Sequence, residues 1–406
     1  MIARIFSRVL ALALVLAMVA IVLINVSLNY HPQVKKVDSV AINIDLVREL
    51  RGLKQSIDDS ADVDMQRLYP EGYVFLNAIY ALAWCNFLDN IDGTGEYFSE
   101  GQTEIQNAWE RINSDRGRQP FTKELPLSYG AFYTGWSTYL LGRKLALESS
   151  GDAVETDVVY FKQQCDSIMY AIGARTYPQT YNVKSWPADV VLCVAALSLH
   201  DKLFKPKYQD AIANWISRVR SACDSRGLIP HSATPFNGMS LKSSRGSSQS
   251  LMLIFLRDID QDFANEQFEL FRTNFVDTTF GLTGIREFAR DEPGISDVDS
   301  GPLIFGYGAA STIVGMQALS LYGEDTTALS IRNTIEVAGL PIKYNGEKEY
   351  LFGRLPIADA FIAWGHTAPK MAEPYDLPAM VFHGYSIGLF AVLSVLFWFC
   401  VDRREG

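Results

Sequence analysis

Cysteine is scarce: five in 406 residues, with no Cys-x-x-Cys pair, which excludes a disulfide-stapled scaffold and a dithiol redox motif. Histidine is equally sparse, and no His-Glu-x-x-His occurs, so the helical zinc-hydrolase pattern is missing. No G-x-x-x-x-G-K run is present to cradle a nucleotide's phosphates. Cations are outnumbered, with Lys+Arg 36 against Asp+Glu 46 and a net charge of −10, and they form no run. That is a poor surface for nucleic acid, because neutralising phosphates needs clustered Lys and Arg. No long stretch alternates Val, Ile or Thr with polar residues, so no sizeable sheet is expected. Neither a cofactor nor a metal is implied.

What the chain does have is two long apolar runs at its ends. Val9 to Leu28 holds 20 residues without a charge, enough at ~1.5 Å per residue to cross a hydrocarbon layer of ~30 Å. A cleaved signal peptide is the competing reading, but its apolar core is usually ~7–15 residues and closes on a small-x-small site. Here Asn29, Tyr30 and His31 follow instead, which favours an uncleaved anchor. Leu377 to Val401 carries one His and no formal charge, and ends on Trp398, Phe399 and then the charged Asp402 to Glu405. A buried core helix is the alternative there. Two spans place both termini on one side. Arg4, Arg8, Arg403 and Arg404 make that side cytoplasmic, while Lys35 and Lys36 argue for the opposite topology. The expected organisation is a cytoplasmic tip and anchor over residues 1–34, an extracytoplasmic domain over 35–372, and a second span with a cytoplasmic tail over 373–406.

Between the runs, apolar positions recur with helical spacing and a long period. Apolar helices rich in small residues begin near Glu71, Tyr129, Trp186, Gly246, Pro302 and Pro356, at steps of 54 to 60 residues. More polar helices follow most of them. A helix apolar all round is buried on several sides, and an amphipathic one covers it. Repeated pairs of this kind must stack to bury their faces. The predicted fold class is all-α, an (α/α)6 toroid of six helical hairpins flanked by two transmembrane helices. An open helical solenoid is the alternative. Loops after the apolar helices are short and those before them long, so the long loops gather on the face where these helices start, the usual location of binding and catalytic groups.

Candidate site residues lie on that face. Glu71 opens the first apolar helix, either as a first-turn acid or as a functional carboxylate. Tyr181, Trp186 and Asp189 put two aromatics and an acid at the third. Ser185 would cap that helix, and Asp189 would favour its dipole. Arg245 ends the fourth long loop, which also contains His231. The fifth is the richest, with Arg286, Glu287, Asp297 and Asp299. An Asp-x-Asp pair there reads as a cap, a cation ligand pair or a general acid/base pair. The rest of an EF-hand pattern is missing. Cys165 and Cys223, on successive outer helices, are a possible pair.

The hairpin order resembles the six-hairpin, (α/α)6-barrel superfamily. Within it, residues 177–323 look most like the linalool dehydratase/isomerase family, through Trp186 to Phe204, Arg245 to Phe263, and Gly281 to Phe288 with Asp297 to Gly308. The resemblance implies a barrel with acid–base chemistry at its mouth. It also implies a reactive cysteine in the loop Tyr177 to Asp189, and that loop contains none. The expected function is therefore a membrane-anchored hydrolase or lyase acting on a glycan. Asp299 or Asp297 would be the general acid or base and Asp189 or Glu71 its partner. Trp186 and Tyr181 would stack the substrate, with Arg286, Glu287, Arg245 and His231 around it. The alternatives are a linalool dehydratase/isomerase-like lyase on an apolar alcohol, and a non-catalytic binding or assembly protein. The expected partners are a lipid bilayer and a glycan or apolar small molecule, with no nucleic acid.

Overall fold

The computed structural model describes residues 2–37, 40–91, 95–148, 154–181, 184–298, 300–374 and 379–402. The structure is 66% helix, and among the described residues strands are confined to short hairpins, so the class is all-α. In chain order the helices are α1 (Ile2–Ser27), α2 (Ile44–Asp58), α3 (Ala61–Leu68), α4 (Gly72–Asp89), α5 (Glu96–Ile112), α6 (Asp115–Arg118), α7 (Gly130–Leu147) and α8 (Glu155–Ala174). There follow α9 (Pro187–Leu203), α10 (Gln209–Ser221), α11 (Gly246–Ile259), α12 (Gln261–Phe275), α13 (Ala309–Leu321), α14 (Asp325–Ala338), α15 (Pro356–His366) and α16 (Ala379–Asp402).

Burial separates two kinds of helix. In α4, 15 of 18 residues are buried, because a sequence such as Ala78-Ile79-Tyr80-Ala81-Leu82-Ala83 offers no polar face. In α5, 5 of 17 are buried, along one stripe through Ile105, Ala108 and Ile112. The buried helices pack in sequence order, α4 on α7, α7 on α9, α9 on α11, α11 on α13 and α13 on α15, and α15 packs back on α4. The amphipathic helices α5, α8, α10, α12 and α14 each cover the buried helix they follow. The sixth cover comes from the other end of the domain: α2 lies on α15 and α4. Its N-terminus is capped by Asn43, whose Oδ1 accepts from the backbone N–H of Asp45 and Leu46 at 3.1 and 3.2 Å.

Where the buried helices converge, the space is filled by aromatic rings. Phe75 lies 5.5, 5.1 and 5.3 Å from Phe132, Trp136 and Phe361, Phe255 lies 6.0 and 5.9 Å from Trp136 and Trp364, and Phe361 lies 6.2 Å from Trp364. Trp136 and Phe255 are each only 1% exposed, so this is a packed core with edge-to-face and tilted contacts.

Among the described residues, ten short strands form five antiparallel hairpins: β1 (Val34–Val37) with β2 (Val40–Asn43), β3 (Ser232–Ala233) with β4 (Ser240–Lys242), β5 (Val276–Thr279) with β6 (Leu282–Ile285), β7 (Leu303–Ile304) with β8 (Tyr307–Gly308), and β9 (Ile342–Tyr344) with β10 (Glu347–Glu349). The last four lie in long loops that precede buried helices. The hairpin β7–β8 corrects one expectation: the fifth buried helix begins at Ala309, not at Pro302, because Phe305-Gly306 makes a two-residue turn there. Ser185 does not cap α9 either; its hydroxyl donates to the Tyr177 carbonyl, and Trp186 occupies the cap position. Cys165 and Cys223 are free thiols, each aimed at a carbonyl of helical backbone, Ala196 and Val219 respectively.

The end helices α1 and α16 contain stretches long and apolar enough to cross a membrane, Ile5–Ser27 and Met380–Val401. Only 6% of the second is buried within the protein, unlike a core helix. The two pack on each other in opposite directions. Ser7 Oγ donates to the Cys400 carbonyl at 2.8 Å near one end, and His383 meets Asn25 near the other.

Both helices are clamped to the domain through α14. Arg332, fully buried, donates to the carbonyls of Met371 and Glu373 at 2.7 Å each and to that of Tyr30 at 3.4 Å. Asn333 Nδ2 donates to the Leu28 carbonyl at 2.7 Å. One helical turn thus holds the chain as it leaves α1 and as it approaches α16.

Candidate functional site

The buried helices mostly lack side-chain caps, and the long loops supply acceptors instead. Ala131 N–H, in the first turn of α7, donates to the Gln179 carbonyl at 2.9 Å, and Gly246 N–H of α11 donates to the Glu287 carbonyl at 2.8 Å. Each long loop is thereby fixed over the start of a neighbouring helix. Gly246 allows the second approach, since a Cβ there would lie 1.9 Å from the Arg286 carbonyl oxygen.

Over the start of α11 this arrangement gathers six polar side chains. Glu287 is fully buried; its Oε1 accepts from Ser247 Oγ at 2.7 Å and its Oε2 from Ser247 N–H at 3.2 Å. Arg245 Nε lies 3.2 Å from Glu287 Oε1, and Arg245 Nη2 donates to Asp297 Oδ2 at 2.8 Å. Arg245 Nη1 points at His231 Nε2 at 3.3 Å, and His231 Nδ1 lies 2.5 Å from Ser248 Oγ. The guanidinium also covers the Phe288 ring at 4.9 Å.

The two carboxyls on Arg245 are driven apart. Burial pushes Glu287 up to about 7, against the pull of Ser247 and Arg245. Asp297 is exposed; what burial it has works against its charge, but the Arg245 hydrogen bond and charge hold it below the usual carboxylate range. His231 is pushed down to about 3, by burial first and then by the charges of Arg245 and Lys242, so it is neutral at physiological pH. A guanidinium can only donate, so His231 Nε2 is the acceptor and the ring proton sits on Nδ1, facing Ser248. That orientation is the reverse of a Ser–His nucleophile pair, which needs an acceptor behind the imidazole.

The remaining predicted residues fall into three places. Tyr181 and Trp186 meet edge to face at 5.3 Å, both half-buried, and Tyr181 stacks on Phe132 and Phe121 at 6.2 Å each, so the loop aromatics continue the central aromatic core upward. Ser185, next to Trp186, bridges Ala233 two residues from His231, which joins this platform to the Arg245 cluster. Asp189 is buried, and its Oδ2 accepts from Thr180 Oγ1 at 2.8 Å, which ties the third loop to α9. Glu71 is half-buried one turn before Phe75. Arg286 braces two hairpins, with Nη1 3.5 Å from both Asp277 Oδ2 and the Phe305 carbonyl. Asp299 lies outside the described residues. A groove of about 410 Å³ lies between α5, the end of α7 and the start of α8, near Lys144, and one of about 600 Å³ between α8 and α10, near Arg218, and none of the predicted site residues lines either.

A second cluster was not legible as a site. Lys348 is buried with Nζ 2.9 Å from Glu49 Oε1 and 2.6 Å from Glu336 Oε1. Tyr350 OH donates to Glu336 Oε1 at 2.6 Å, and His366 Nδ1 lies 2.9 Å from Glu49 Oε2. Burial opposes the Glu49 charge, but His366 and Lys348 outweigh it and hold the carboxyl at about 2. It packs α2, α14, β10 and α15 together, with Tyr30 above it: the Tyr30 hydroxyl donates to Asp45 Oδ2 at 2.7 Å. Its signal in the sequence was a charge on an apolar stripe: Glu49 falls among Leu46, Leu50 and Leu53.

No protein-family model matches the chain, and no curated protein matches it either.

Proposed function

We propose that the protein is a membrane-anchored α/α toroid of six helical hairpins, an enzyme of the hydrolase or lyase kind that acts on a glycan at its long-loop face. The return of α15 onto α4, with α2 as the sixth cover, supports closure of the ring. Residues 35–372 are the extracytoplasmic domain, held between two spans with both termini in the cytoplasm. The antiparallel packing of α1 on α16 supports that arrangement. In sealed inverted membrane vesicles, protease should remove the tail at Arg403 and leave the domain intact. Protection of the tail together with loss of the domain would reverse the topology.

The observation that carries the chemistry is one arginine between two carboxyls of opposite tendency. Pairs whose surroundings push their pKa values apart are the usual mark of an acid and a base in one site. Asp297, ionised and exposed, is the general base or stabilising carboxylate that meets the substrate, and Glu287, protonated near neutral pH and fully buried, acts through Arg245 by positioning it against Asp297. Tyr181 and Trp186 form the stacking platform beside them. Cys193 supplies no reactive thiolate, because burial pushes it well above its ordinary value and its Sγ points at the Ala131 carbonyl, which argues against an apolar-alcohol lyase.

The test is turnover of neutral and uronate-containing polysaccharides by the full chain in nanodiscs, read as new reducing ends for hydrolysis or a new conjugated double bond for elimination. Asp297→Asn should lower the rate by about 100-fold or more, the lower end of a general base's contribution, and Glu287→Gln, acting through Arg245, by about 10-fold. The wild-type rate should fall as pH rises through about 7, where Glu287 gives up its proton. Stability should move the same way. A raised folded pKa contributes stability below the ordinary carboxylate value that is lost as pH rises through about 7, and the glutamine variant should lack that slope. The aromatic filling of the centre favours a second reading, a non-catalytic binding or assembly protein. Unchanged behaviour of Glu287→Gln in every one of these measurements would select it.

A further inference from the structure

Three of the hairpins close with two-residue turns in which both central residues have positive φ, the geometry that suits a twisted antiparallel pair. The β9–β10 turn uses Asn345-Gly346, the usual solution. The other two use Phe280-Gly281 and Phe305-Gly306, with φ 54 at each phenylalanine. A bulky residue in the left-handed region is strained, and Asn relieves that strain. The phenylalanines therefore serve something outside the turn. They are not core residues: Phe280 is 56% exposed and Phe305 74%, with Ile304 beside it at 64%.

Their position says what covers them. The two rings lie 6.4 Å apart, and Phe280 lies 5.7 Å from Tyr385 of α16. Gly281 presses on the same helix, where a Cβ would come within 2.8 Å of Val381 Cβ. Val381 and Tyr385 belong to the stretch Met380–Val401 that can cross a membrane. From Met380 to Tyr385 the helix rises by ~7–8 Å, comparable with the ~5–10 Å to which interfacial segments sink into the headgroup and acyl boundary. The hairpins are also graded along their length. Asp277 and Arg290 pair at the base, the Thr279 and Tyr307 hydroxyls meet at 2.8 Å just below the turns, Arg286 reaches the Phe305 carbonyl, and the exposed tip side chains Phe280, Ile304 and Phe305 are apolar.

We infer that the tips of β5–β6 and β7–β8 are seated in the lipid interface, so that the domain touches the bilayer directly and not only through its two spans. The partner is the headgroup and upper acyl region of a bilayer, and the contact rests on the reading of α16 as a span. It also sets the candidate site near that surface, because β6 runs straight on into Arg286 and Glu287.

The test uses the full chain in phosphatidylcholine nanodiscs, with Cys223 and Cys400 changed to Ser and one environment-sensitive fluorophore placed by Phe305→Cys. Ile304→Cys provides a second position at the same tip. Val392→Cys in α16 and Tyr170→Cys, exposed on α8, are the lipid and water references. The two tip labels should emit to the blue of the Tyr170 label. Lipids carrying a nitroxide near the headgroup should quench them about twofold, more than lipids carrying it at the chain end, as for an interfacial segment. Tip labels that behave like Tyr170 while Val392 reads lipid would overturn the seating and leave the span intact. A Val392 label that also reads water would overturn both.

Discussion

Lys348→Ala should cost the domain about 3–5 kcal/mol, the loss found when one partner of a buried ion pair is removed. That is a large part of the ~5–15 kcal/mol that holds a typical domain folded. The size follows from what stays behind: Glu49 and Glu336 would keep two carboxylates in the buried interior, with His366, Tyr350 and their neighbours to share them. The loss should be greatest at neutral pH. In the native protein Glu49 is held at about 2, so its contribution is complete above the ordinary carboxylate value and lost as pH falls toward 2. Without Lys348, burial raises the same carboxyl, and acid then relieves the variant by protonating it. Urea denaturation at pH 7 and at pH 5 measures both points. Adding Glu336→Gln to Lys348→Ala should recover part of the loss, since it removes one of the two stranded charges. A single variant within about 1 kcal/mol of wild type would mean that the cluster is hydrated and exposed in solution, contrary to the packing described.

Arg332→Ala should release both membrane connections at once. The guanidinium meets three carbonyls from two chain segments, and no other side chain could replace it, because the three acceptors sit around a planar fork. Leaving a buried carbonyl unpaired costs about 1–3 kcal/mol. Local opening of residues 28–33 and 369–374 should therefore become favourable by roughly 3 kcal/mol, or about a 100-fold rise in amide exchange there. Arg332→Lys should give an intermediate result, with one of the three contacts retained. Exchange mass spectrometry on the reconstituted protein reads these segments directly. Unchanged protection in both, with α4 and α9 equally unchanged, would remove the clamp from the account.

The buried helices were legible because their composition leaves no choice. A run such as Val190 to Leu197 can only be surrounded by protein or lipid, and its length separates the two. The helix α2 was missed because Asp45, Arg48, Glu49, Arg51 and Lys54 make residues 44–58 look like a linker. Its apolar stripe of Leu46, Leu50, Leu53 and Ile57 is as regular as any other. The start of α13 was misplaced because Phe-Gly is not a turn signal; only its neighbours in space explain it. At the site, Arg245, His231, Glu287 and Asp297 could be chosen as residues with chemistry. The serines that orient them looked like ordinary first-turn residues of α11. The Lys348 cluster was out of reach for a simpler reason: Glu49 and Tyr350 are 301 positions apart and have nothing in common until α2 lies against α15.

The aromatic core has a consequence for traffic. Phe75, Phe132, Trp136, Phe255, Phe361 and Trp364 fill the space where the buried helices converge, so in the proposed toroid nothing could be threaded through from one face to the other. In that reading, a molecule taken in at the long-loop face would leave by the way it came. Arrival of the next molecule then waits on departure of the last. A polymer would be met at a free end or a loose bend, since its interior could not be drawn through.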